Sequence, residues 1–132
     1  MALLRARYPL LFWLVAVGVA VNIFGMALPF VLAPNWTMAH FGLPDGGGSI
    51  VWMRQAGLLL FFISLLYIPG GYDPIRYKAN AWLGVATRMV IGLYWLYLVG
   101  FEGRTTVFVP IGLLDCGLAL LNGYVLARTE RR

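Results

Sequence analysis

The chain has 132 residues, 61% of them hydrophobic and 11% charged, with a mean hydropathy of +0.82. Soluble domains average about 25% charged and 45–50% apolar residues, so a soluble globule is excluded and lipid must be the solvent for much of the surface. Ten Lys and Arg stand against five Asp and Glu, a formal +5, but the basic residues sit beside apolar runs, which marks membrane topology rather than a nucleic-acid partner.

The only cysteine, Cys116, excludes an intrachain disulfide. The only histidine, His40, leaves no His/Cys cluster for zinc and no second ligand for a bis-His haem. No metal or cofactor is identified from the residues.

Four apolar runs reach the length of about 20 residues that a bilayer requires: Leu10–Leu32, Ile50–Ile68, Ala81–Phe101 and Val107–Ala127. Each is expected to be helical, because lipid satisfies no backbone polar group and the alternation of a membrane barrel is absent. The expected fold is all-α, a single integral membrane four-helix bundle.

The first run follows Arg5 and Arg7, which would anchor it at an interface. At 23 residues it exceeds the roughly 7–15 of a signal-peptide core, so it is read as an uncleaved membrane helix opening at Pro9. Gly18, Asn22 and Gly25 share a face of the kind that lines helix contacts in membranes. Pro29 is expected to kink or end this helix. In the following connection, Pro34, Gly42, Pro44 and Gly46-Gly47-Gly48 mark irregular chain. Residues 35–41 are expected to form one or two helical turns, with Asn35 as N-cap, Gly42 as stop, and Trp36 and Phe41 in the headgroup region.

The second run carries Arg54 about 6 Å inside its end at 1.5 Å per residue. Pro69-Gly70-Gly71 is expected to stop it. Asp73-Pro74 reads as N-cap and first helical residue of the third helix, with Arg76 and Tyr77 as interfacial anchors. In that helix Gly84, Arg88 and Gly92 share one face, with Arg88 held between glycines that admit a close neighbour. In the fourth run Ile111, Asp115, Leu118 and Asn122 form the polar, inward face.

Positive-inside bias sets Arg5, Arg7, Arg76, Lys78, Arg128, Arg131 and Arg132 against Arg104 and places both termini in the cytoplasm. Tyr8, Trp13, Tyr67, Tyr77, Trp82 and Tyr124 mark one interface; Trp36, Trp52, Trp95 and Tyr97 mark the other.

Asp115 is the central feature. A charge at the middle of a membrane helix costs about 2.5–3.5 kcal/mol on insertion scales, so it calls for a partner or a watered cavity. Arg54 and Arg88 both lie within about 6–8 Å of its depth, and depth allows either, or both, to pair with it. The candidate ligand-binding set is Arg54, Arg88, Asp115, Asn122 and Asn22. Such a cluster would suit an anionic headgroup, a carboxylate or a quinone carbonyl; the preferred reading is a structural bridge that fixes helix register. No nucleophile–base pair or hydrolytic triad is present, and Cys116 has no base beside it in the pattern.

The four short membrane helices, Arg54-Gln55-Ala56-Gly57 opening the second, an Asp-Pro-x-Arg-Tyr turn at Asp73–Tyr77, an arginine in the third helix and an acid in the fourth resemble small bacterial DoxX-like membrane proteins. DoxX is similar to subunits that work with quinone-linked oxidoreductases. The resemblance implies a four-helix bundle, a multi-pass protein of the bacterial inner membrane, and association with quinone or redox chemistry; it carries over no catalytic residue. Three functions follow in order. The first is a non-catalytic accessory subunit with protein partners in the membrane. The second is a lipid- or quinone-binding protein using Arg54, Arg88 and Asp115. The third is a homo-oligomeric transporter using Asp115.

Overall fold

A computed structural model describes residues 8–43 and 47–131, with backbone alone at 47 and 48. Among these residues the protein is all-α, with four helices long and apolar enough to cross a membrane: Pro9–Leu32, Ser49–Tyr72, Lys78–Gly100 and Phe108–Glu130. Only 17–28% of an apolar 18-residue stretch within each span is buried. The outward positions carry Phe24, Val90, Phe101 and Leu120, each more than 60% exposed, which lipid tolerates and water would not. The expected anchoring by Arg5 and Arg7 and the break at Pro44 and Gly46 lie outside the described residues.

The first span is α1 (Pro9–Asn22), a π-helical turn (Ile23–Ala27) and α2 (Leu28–Leu32). Pro29 does not end it. Proline has no N–H for the carbonyl one turn back, and its ring crowds that oxygen. The backbone widens just before it, and the Leu28 N–H reaches the Ile23 carbonyl, five residues back, as a π turn requires.

Helix α3 (Pro34–His40) follows. Ala33, not Asn35, is its N-cap, without a side-chain cap bond, and Pro34 occupies the first turn, where a missing N–H leaves nothing unsatisfied. Gly42 does stop it: at φ 63° the Gly42 N–H bonds the Ala39 carbonyl and the Leu43 N–H bonds the Met38 carbonyl, the paired bonds of a Schellman end. Thr37 Oγ1 lies 2.9 Å from the Ala33 carbonyl and 3.1 Å from that of Pro29, tying α3 back to α2. Phe41 is buried against Phe30, ring centroids 6.0 Å apart. Trp36 is exposed and stacks on His40.

Helix α4 (Gly47–Tyr72) runs straight through Pro69-Gly70-Gly71. The expected stop is a packing device instead. A Cβ on Gly70 would fall 2.5 Å from the Ala81 nitrogen, and one on Gly71 would fall 2.8 Å from the Val15 Cβ. Hydrocarbon offers no water to compete for freed backbone groups, so proline and glycine persist inside membrane helices where neighbours press close. The Asn80 side chain donates to the Leu66 carbonyl at 2.9 Å, in the turn before Pro69. Asp73 caps as expected: its Oδ1 accepts from the N–H groups of Ile75 and Arg76 at 3.2 Å. The capped turn, however, precedes α5 (Lys78–Gly100), which starts after Tyr77.

The chain divides into two compact units. One comprises residues 19–65, and the other residues 1–18 with 66–132. Within the first, Gly57 of α4 meets Ala27, Phe30 and Val31 so closely that its absent Cβ would lie 2.8 Å from an atom of each. Within the second, α5 packs along α6 (Phe108–Glu130). The buried positions of α6 are Phe108, Gly112, Asp115, Ala119, Asn122, Leu126 and Thr129, an alternating three-four spacing that keeps one seam facing its neighbours. Tyr67 is buried beside Gly84, and Trp95 is stacked on Phe108 at 4.8 Å.

Gly70→Ala should lower stability by about 1–3 kcal/mol, the usual cost of overpacking, because the new methyl meets Ala81 backbone that cannot swing away. Gly117→Ala, with nothing within 4 Å of its Cβ position, should cost nothing or stabilise slightly. Thermal unfolding in detergent, followed by circular dichroism, checks the pair.

Candidate functional site

Arg88 projects from the middle of α5 and is 5% exposed; Asp115 projects from α6 and is 8% exposed. The Arg88 Nη1 donates to Asp115 Oδ1 at 2.9 Å. Of the two cations at compatible depth, Arg88 bonds Asp115 within its own compact unit, and Arg54 belongs to the other unit. The link between α5 and α6 is short, which makes them antiparallel neighbours. Arg54 lies on an exposed face of α4, and among the described residues it forms no ion pair.

The pair meets beside a close crossing of the two helices. One turn from Arg88, Gly92 faces Gly112, three residues before Asp115. A Cβ on Gly92 would fall 2.9 Å from the Gly112 carbonyl and 2.7 Å from Cys116 Sγ; a Cβ on Gly112 would fall 2.9 Å from the Gly92 carbonyl. Glycine at both positions lets the backbones touch, as small residues do in membrane helix contacts. That contact sets the distance across which Arg88 and Asp115 bond. On the other side, the guanidinium lies over Gly18 of α1, whose Cβ position is 2.5 Å from Arg88 Nη2. Gly18 is thus the cradle of Arg88, although in sequence it shares a face with Asn22 and Gly25.

A small cavity of about 20 Å³ adjoins the pair, lined among others by Tyr67, Asn80, Gly84, Arg88 and Asn122. That is room for one water molecule. Asn122 is buried, and its Oδ1 has no hydrogen-bond partner among the described residues. The candidate set therefore divides. Arg88 and Asp115 bond directly, Asn122 shares a cavity with Arg88, and Asn22 donates instead to Ser64 Oγ at 3.2 Å. Ser64 in turn donates to the Leu60 carbonyl at 2.7 Å, so these two polar side chains close a local link between α1 and α4.

Sequence reasoning missed Gly112 and Ala119 as members of the buried seam. Hydropathy could not reveal them, because apolar residues occupy every side of α6 and its buried face is no more apolar than the rest. The usable signal was residue size, small residues at three- and four-residue spacing around the acid. No family model, no curated protein and no solved structure matches the chain.

Chemically, a guanidinium and a carboxylate at 2.9 Å neutralise each other. Asp115→Ala should destabilise the protein by about 3–5 kcal/mol, because it leaves Arg88 buried and uncompensated. The double substitution Arg88→Met with Asp115→Leu should recover most of that loss, since apolar replacements of a whole buried pair are often neutral or better. Thermal or denaturant unfolding of the two variants beside the parent measures the difference.

Proposed function

We propose that this chain is a small multi-pass protein of the bacterial inner membrane that acts as a non-catalytic accessory subunit of a larger membrane complex, of the respiratory or redox kind that its DoxX-like resemblance implies. The observation that carries this reading is that the most deeply placed charges, Arg88 and Asp115, are spent on each other. A general acid or base must present a free proton-accepting or proton-donating atom to a substrate; a carboxylate locked to a guanidinium at a glycine crossing instead fixes how two helices register. The asymmetry of Arg76, Lys78, Arg128 and Arg131 against Arg104 supports an orientation with both termini in the cytoplasm.

A partner in the membrane needs a face it can approach closely. Gly117 lies on the exposed side of α6, among Leu113, Leu114, Leu120 and Leu121, with no side chain over it. This is a place for a second helix to pack. Purification in mild detergent at native expression should bring down a stoichiometric membrane protein, and Gly117→Leu should release it without changing the helix content. A stable, partner-free monomer from native membranes overturns the reading.

One observation favours a second reading, binding of a small amphiphile such as a quinone or lipid. The unpartnered Asn122 Oδ1 lines the same cavity as Arg88. At about 20 Å³ the cavity admits a water rather than a ring, so this reading needs the helices to part. Mass spectrometry of the purified protein should then find a retained quinone or lipid that Asn122→Leu and Arg88→Ala both lose; retention unchanged in both variants removes it.

A further inference from the structure

We infer that the groove between the start of α1 and the end of α6 binds an anionic phospholipid, with its phosphate on Arg128 and an acyl chain along the apolar floor. The groove has a volume of about 320 Å³ and is bounded by Tyr8, Leu10 and Leu11 on one side and Tyr124, Val125 and Arg128 on the other. Its floor is closed, because Leu11 is 2% exposed, while Leu10 and Tyr124 stand out as walls, 63% and 56% exposed. This site is separate from Arg88 and Asp115 and does not depend on the accessory-subunit reading.

Position makes the occupant a lipid. The groove lies along two membrane spans, at the end where α6 runs into Arg128 and Arg131 and where α5 begins at Lys78. Apolar walls in that setting face acyl chains, and a basic residue at their rim meets headgroups.

Charge makes the occupant anionic. The Arg128 guanidinium lies over the Tyr124 ring, 4.9 Å from its centroid, which holds it at the groove while its N–H edges stay available; a guanidinium has five donors, and stacking on a ring face uses none of them. The acid nearest in sequence cannot neutralise it. Glu130 is committed elsewhere: one oxygen accepts from Trp82 Nε1 at 2.9 Å, and the other is 3.1 Å from Lys78 Nζ. The Thr129 hydroxyl donates to the Val125 carbonyl within its own helix. Among the described residues Arg128 therefore has an aromatic support and no counter-charge. A phosphate diester supplies that counter-charge, and Arg is suited to two-point contact with its oxygens.

The test uses the full chain in nanodiscs of phosphatidylcholine doped with phosphatidylglycerol of the same acyl chains, with lipid retained per protein read by native mass spectrometry. Phosphatidylglycerol should be enriched over phosphatidylcholine. Arg128→Gln should reduce that enrichment about fivefold, the worth of one basic residue at a lipid surface. Val125→Trp and Leu10→Trp, which fill the groove from either wall and leave the charge untouched, should reduce it as much. Arg76→Gln, which removes a cation from the same end of α5 but not from the groove, should leave it unchanged. Equal retention of the two lipids overturns the inference, as does a loss from Arg76→Gln as large as that from Arg128→Gln, or full retention in both groove-filling variants. A larger oligomer that forms without phosphatidylglycerol and is broken by the tryptophan substitutions would show a second chain in the groove, which also overturns it.

Discussion

The Arg88–Asp115 bond exists because two helix backbones touch. Gly92 and Gly112 let the backbones of α5 and α6 approach closely at one level, and the ion pair forms one turn away at 2.9 Å. Separate the helices by the width of a methyl group and each charge would be left in a medium that solvates it poorly. On insertion scales such a charge costs about 2.5–3.5 kcal/mol at the membrane centre. The glycines and the charges are therefore one device. The contact gives the pair its geometry, and the pair penalises any register in which the contact is not made.

The same economy runs through the rest of the chain. Lipid tails are as apolar as leucine, so burial of leucine does not draw membrane helices together; close packing and internal polar links do. Gly18 admits the Arg88 guanidinium, Gly70 admits the Ala81 backbone, Gly71 admits Val15, and Gly57 admits the turn at Ala27. Polar links accompany these approaches: Asn22 to Ser64, Asn80 to the Leu66 carbonyl, and Trp82 and Lys78 to Glu130. Small residues set the distance, and short hydrogen bonds fix the register.

Function, on this view, lies at the surfaces the device leaves over. The interior charges are spent, while Arg128 at the rim of the α1–α6 groove keeps a charge without a counter-ion among the described residues. Gly117 is open on the outer side of α6. A groove with an arginine at its rim and a glycine open among exposed leucines are surfaces at which other membrane components can pack.

Composition and run length alone determined the membrane class and the four spans, because no other solvent accepts so much apolar surface and no shorter helix crosses it. They also brought Arg88 and Asp115 into one candidate set, because a charge in lipid requires a partner. Local rules placed the Gly42 stop and the Asp73 cap, where the chemistry is confined to a few neighbouring residues. Only the tertiary structure showed that Arg88 bonds Asp115 and that Gly18 cradles its guanidinium. It also turned Pro69-Gly70-Gly71 from a helix end into a helix contact. The reason is that glycine reads the same from sequence whether it breaks a helix or lets another press against it, and only the neighbour's position separates the two.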